Sequence, residues 1–196
     1  MIETLWGSIT SVGFDSGHRF VIGDWQRSPV GPFADIMWAL PDGRRVLLAE
    51  TNAAEYVVSV YPFEEVRHQS VAAERHSRRY VVRSGGLILD MNLGVGALRL
   101  PPRPRQITAT VENWCAHKLL NVHTHGTSPT GVTEWYRTSS ARRVVAASAS
   151  LEGNDLGTLA PLRRPLDFGF TDPPRTPSHV RLRVDLRRPT HEARNG

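Results

Sequence analysis

Short apolar stretches separated by turn-forming residues recur along this chain at spacings of about 8–12 residues. Segments 4–12 and 18–26 are rich in Ile, Val, Phe and Trp and flank Gly13-Phe14-Asp15-Ser16-Gly17, so they read as two strands and a turn. Phe33–Leu40 and Arg44–Glu50 flank Pro41-Asp42-Gly43; Asp-Gly between apolar runs predicts a hairpin, because Gly supplies the positive φ of the turn. Asn52 with Glu55 three residues on resembles a capping box, Tyr56, Val57 and Val60 share a helical face, and Pro62 ends the run, which predicts a short helix over 53–60, with a strand as the alternative because of the Val57-Val58 pair.

A second hairpin is expected from Arg78–Arg83 and Leu87–Leu93 around Ser84-Gly85-Gly86. Ile107, Val111, Trp114, Cys115 and Leu119 follow a 3.6-residue period behind Pro104, so 105–119 reads as a second short helix, with a strand over 107–111 as the alternative. Val132–Tyr136 and Arg143–Leu151 read as strands joined by Thr138-Ser139-Ser140. Residues 155–177 are broken by five prolines, and Ser178–Leu186 alternates as a last strand. The expectation is a mostly β (α+β) fold, a single antiparallel β-barrel or sandwich with two short helices over residues 1–186, followed by a disordered polar tail over 187–196.

Composition changes this picture little. The 196 residues suffice for one domain with a sizeable core. A lone cysteine, Cys115, excludes an intramolecular disulfide and, with no signal-like N-terminus, fits a reducing cytosol. No apolar run approaches the ~18 residues of a membrane helix. Charge is uneven: residues 1–66 carry four arginines and nine acids, whereas 67–196 carry twenty basic and ten acidic residues. Of the 24 basic residues only Lys118 is not arginine, which reads as codon bias and a solvated strand face. No stacking motif, helix-turn-helix or zinc module accompanies the charge, so a nucleic-acid partner is not expected.

Three constellations could carry chemistry. His123 and His125 share a strand face, and with Glu134, and His117 as a third imidazole, they could hold a divalent metal, a set similar to the cupin motif but with wider spacing. Gly126–Gly131 has the small residues of an anion-cradling loop, yet lacks the Gly-x-Ser-x-Gly elbow. Asp24-Trp25, Asp35 with Trp38, and Glu134-Trp135 place acids beside large apolar rings; burial there would raise a carboxyl pKa, as a general acid requires, whereas simple alternation would turn the acid to water. The turn Ser28-Pro29-Val30-Gly31 is echoed by Ser128-Pro129-Thr130-Gly131, each with an acid and a Trp downstream.

The run Ser28-Pro29-Val30-Gly31-Pro32-Phe33 leading into an apolar strand resembles a stretch of the acetoacetate decarboxylase-like family. The later order of an acidic-Ala patch (Glu50 to Glu55), a hairpin and a Pro-rich break is also similar. The resemblance spans roughly residues 20–105 and implies a closed, mostly antiparallel β-barrel with an interior cavity. That family's Schiff-base lysine is missing: the corresponding segment reads Val60-Tyr61-Pro62-Phe63-Glu64-Glu65, and Lys118 lies far away. The resemblance therefore carries over a fold and no catalytic residue.

The functional expectation is a barrel that binds a small, partly apolar organic molecule, a carboxylate or carbonyl metabolite. Trp25, Trp38, Trp135 and Tyr136 would supply apolar walls, and Arg19 or Arg137 would pair with an anionic group. Alternatives from other classes are a metal-dependent enzyme using His123, His125 and Glu134, and a non-enzymatic homo-oligomer built on an exposed edge strand.

Overall fold

The computed structural model describes residues 2–99, 125–163, 165–169 and 171–189. The chain order is β1 (Ile2–Phe14), β2 (Arg19–Arg27), β3 (Phe33–Ala39), β4 (Arg45–Ala49), α1 (Thr51–Val58), β5 (Glu65–His68), β6 (Ala72–His76), β7 (Arg79–Ser84) and β8 (Leu87–Leu93). Then follow β9 (Leu98–Arg99), β10 (His125–Thr127), β11 (Thr133–Leu151), β12 (Asn154–Asp155), β13 (Leu159–Ala160) and β14 (Ser178–Arg187). The strands form one curled sheet in the order β5-β4-β3-β2-β1-β14-β11-β8-β7-β6, and β4 with β5 is a parallel pair among antiparallel ones.

The mostly-β expectation holds, and α1 is the first expected helix displaced by two residues. The expected helix over 105–119 and the tail beyond Pro189 lie outside the described residues. One correction concerns 132–151. The expected Thr138-Ser139-Ser140 connection is no turn: β11 runs 19 residues through it as a single strand. A register shift between Thr138 and Ser140, and another between Val144 and Ala146, absorb the residues that break the alternation. The first part of β11 pairs with β14 and the second with β8, so this one strand carries the curl of the sheet.

The curl encloses a first core on one face, built from Val12, Phe20, Ile36 and Leu48 against Tyr80 and Leu89. The alternate residues point the other way. There Leu5, Trp25, Leu182, Val184 and Leu186 pack under α1 and the segment that follows it. A third wall comes from the proline-rich stretch, whose Leu162, Leu166 and Phe168 are buried. Arg19 holds that stretch in place by donating to the carbonyls of Arg163 and Pro165 at 3.2 Å and of Leu40 at 2.9 Å. Both faces of the central strands are thus covered, and the period-two alternation sorts each strand between two interiors.

The echoed turns are built alike. Gly31 N–H donates to the Ser28 carbonyl at 3.2 Å and Gly131 N–H to the Ser128 carbonyl at 2.9 Å, and both glycines have positive φ. No helix among the described residues is long and apolar enough to cross a membrane.

Candidate functional site

The second interior is not filled. Between the sheet face, α1 and residues 168–169 and 171–174 lies a cavity of about 170 Å³. Its walls are mostly apolar: Leu5, Val21, Phe33, Met37, Val180 and Leu182 are representative. The polar groups among them are few, which is the usual composition of a small-molecule site.

Asp35 is the central one. It lies on β3 directly opposite Gly23 of β2 and is 1% exposed. The Trp25 indole N–H donates to Oδ1 at 3.1 Å, while Oδ2 has no partner among the described residues. Burial pushes this carboxyl up to about 7; the Trp25 hydrogen bond opposes the shift and nearby Asp24 adds to it. Gly23 is what allows the arrangement, since a Cβ there would lie 2.5 Å from Trp25 Nε1 and closer still to Asp35 Oδ1.

A second polar cluster borders the same space. Tyr61, from the segment after α1, and Tyr136 on β11 line the cavity, and their hydroxyls are 2.9 Å apart. Both donate to Glu134 Oε2, Tyr136 at 2.8 Å. Glu134 is fully buried, its Oε1 has no partner among the described residues, and burial raises it to about 7 against the pull of the two tyrosines. The tyrosines themselves are pushed well above their ordinary range, first by burial, then by this carboxyl for Tyr136 and by Tyr136 and this carboxyl for Tyr61. Gly169 makes room for the Tyr61 ring, which would be 2.8 Å from an added Cβ.

The acids singled out beside tryptophans therefore meet partners other than their sequence neighbours. Asp35 pairs with Trp25 across the ladder rather than with Trp38, and Glu134 turns away from Trp135 toward two tyrosines. Asp24 is also raised by burial, with Gln26 and Tyr80 as hydrogen-bond partners on the opposite face of the sheet.

Of the remaining expected ligand-binding residues, Trp25 and Tyr136 line the cavity. Trp38 belongs to the first core, stacked on Phe20 at 5.5 Å and donating to His18 Nδ1 at 3.0 Å. Trp135 lies on the face opposite Glu134, between His125 at 5.2 Å and the Arg187 guanidinium at 5.4 Å. Arg19 bonds backbone carbonyls as described above. Arg137 pairs with the buried Asp185, which also accepts from Thr4 at 2.7 Å and Arg183 at 2.9 Å. Burial alone would raise Asp185, but these bonds outweigh it and hold the carboxyl below its ordinary value. Neither arginine is among the cavity residues.

The expected metal set is not assembled by the described residues. His125 pairs directly with Trp135 in the ladder, and Glu134 with Gly126, so the imidazole and the carboxylate leave opposite faces. His123, His117 and Lys118 lie outside the described residues. No group of three or more His, Cys, Asp or Glu suited to a metal occurs among the described residues.

Tyr61, Phe33, Met37 and residues 168–169 and 171–174 had no signal in the sequence beyond being apolar or near proline. They converge only because α1 and the proline-rich stretch fold over the same sheet face.

No family model matches this chain, and no curated protein does. Among solved structures it is similar to the crystal structure of acetoacetate decarboxylase from Legionella pneumophila subsp. pneumophila str. Philadelphia 1, at 8% identity and a TM-score of 0.48, covering 94% of this chain and 84% of that one. A second acetoacetate decarboxylase structure shares 11% identity at a TM-score of 0.47 with the same coverage. Neither score reaches one half, and identity this low leaves the chemistry of the present chain to be read from its own residues.

Proposed function

We propose that this protein binds a small, neutral, largely apolar molecule in the cavity, held at one end by a hydrogen bond to Asp35. The observation that carries the reading is a buried carboxyl, one oxygen of which has no partner among the described residues, in a mostly apolar cavity of about 170 Å³. A cavity of ~150 Å³ is known to accommodate benzene, so a ligand of about six to eight non-hydrogen atoms fits this scale. At pH below its pKa Asp35 donates a proton in a hydrogen bond, which suits a carbonyl or hydroxyl oxygen. Of the carbonyl and carboxylate ligands expected from the sequence, the carbonyl is favoured. No arginine, lysine or histidine is among the described cavity residues, and a carboxylate there would face Asp35 without a counter-charge from them.

The test is titration of the purified protein with a methyl ketone of about seven non-hydrogen atoms and with the carboxylate of equal length, followed by calorimetry and Trp fluorescence. Saturable ketone binding at pH 6, lost in Asp35→Leu and much stronger than carboxylate binding, is expected. Equal binding of both probes, or none, would overturn the reading.

A further inference from the structure

A second pocket of about 370 Å³ opens on the opposite face of the sheet, and its chemistry is the reverse of the first. Its lining includes Arg75, Arg142, Arg181, His179, Ser139 and Ser140, and no acid among the described residues. We propose that this pocket is an oxyanion site that takes the phosphate group of a small phosphomonoester.

The site is a product of the bulge in β11. Tyr136 and Thr138 pair with Val184 and Leu182 and face the apolar cavity. Ser139 is then the extra residue, and Ser140 pairs with Arg181 instead of continuing the alternation. Two-for-one pairing re-aims every side chain that follows. Ser140 and Arg142 consequently emerge on the other face, beside Arg181 and His179 of β14, as two directly opposed pairs: Ser140 with Arg181 and Arg142 with His179. Arg75 and Ser77 arrive from β6 and the turn after it.

His179 anchors the floor. It is 3% exposed, and its Nδ1 lies 2.8 Å from the Thr10 hydroxyl. With Thr10 donating to Nδ1, the proton sits on Nε2, which is buried without a partner among the described residues, and His179 is one of the residues lining the pocket. An unpartnered buried N–H is costly, and an oxyanion would satisfy it.

The charge supports the same occupant. Burial, with Arg75, Arg181 and Arg142 each adding to it, lowers the His179 pKa to about 4, so all three guanidinium groups act on one imidazole. None of these three arginines forms an ion pair with a carboxylate among the described residues. Arg75 does bear on Asp24, a carboxyl also bonded by Gln26 and Tyr80. Three arginines with no ion pair among the described residues repel one another, and a doubly charged tetrahedral anion relieves that repulsion better than a single carboxylate. Hydroxyls of Ser77 and Ser140 add neutral donors, whereas Ser139 donates to the Arg181 carbonyl at 3.0 Å; the volume leaves room for more than the inorganic ion.

The test is calorimetric titration of the full chain at low ionic strength with inorganic phosphate, with glycerol phosphate, and with chloride at matched ionic strength. The expected result is saturable one-to-one binding of phosphate or the phosphomonoester but not of chloride. Arg142→Gln and Arg181→Gln should each weaken binding about tenfold, while Asp35→Asn leaves it unchanged. A phosphomonoester binding more tightly than the free ion identifies an organic phosphate as the occupant. Two results overturn the site: the same response to chloride, or wild-type affinity in variants whose unfolding transitions match the parent.

Discussion

Trp25 donates its indole N–H to Asp35 across the β2–β3 pair at 3.1 Å, over the bare Cα of Gly23. The three positions act as a unit, because a methyl group at 23 would overlap both partners. Gly23→Ala should therefore break the hydrogen bond or force β2 from β3, at a cost of about 1–3 kcal/mol. Urea unfolding and the Trp emission maximum check this together. An unchanged midpoint with unchanged emission would mean that the close approach is not real.

The buried carboxyl also makes stability depend on pH in an unusual sense. Asp35 is raised from 3.8 to about 7, so the folded state holds a proton that the unfolded state has released. Its stabilising contribution is complete below about pH 4 and is lost as pH rises through about 7. Asp35→Asn keeps the acceptor for Trp25 and cannot ionise. Relative to the parent it should gain stability between pH 4 and 8, by as much as a few kcal/mol, since each tenfold change in proton affinity is worth ~1.4 kcal/mol. Unfolding curves for both proteins at pH 4.5, 6 and 8 decide it, and a difference that stays flat would sink the assignment.

Glu134 answers differently to its neighbours. Burial raises it, and the two tyrosine hydroxyls restrain that rise by bonding the ionised form. Tyr61→Phe removes one donor and should push the carboxyl higher still, with a loss of about 1–3 kcal/mol at pH 8 and less at pH 5. Carbon-detected NMR titration of the glutamate side chains reads the change directly. A Glu134 midpoint that moved down instead would show that the tyrosine bond does not favour the carboxylate.

Much of the fold was legible because hairpins are local. Pro41-Asp42-Gly43 and Ser84-Gly85-Gly86 announce their own turns, and α1 carries its apolar face within one window of sequence. What alternation cannot tell is whether the polar face of a strand meets water. His179 and Asp185 alternate with Val180, Leu182, Val184 and Leu186 as a solvent-facing row would, yet both are buried, because β14 is central and covered on both sides. The same limit hid the partners of Asp35. Its proximity to Trp38 in sequence was visible, but the cross-strand position of Trp25 depends on register. Ser139 looked like a turn because Thr-Ser-Ser is turn-like, whereas a long strand can tolerate the same residues as a bulge.

Phe168 tests whether the cavity sets ligand size. It is 6% exposed, packs against Phe63 at 5.9 Å and forms part of the wall contributed by the proline-rich stretch. Phe168→Ala removes a ring from that wall and should cost about 3–5 kcal/mol, the range for truncating a buried aromatic. The space it leaves joins the cavity, so bicyclic ketones should bind the variant at least tenfold better than the parent, while the smaller ketone loses affinity through poorer packing. Stability and the two affinities are measured on the same preparations. A variant that is destabilised yet keeps the parent's order of preference would show that this wall collapses on truncation, and that ligand size is set elsewhere, by α1 and the sheet.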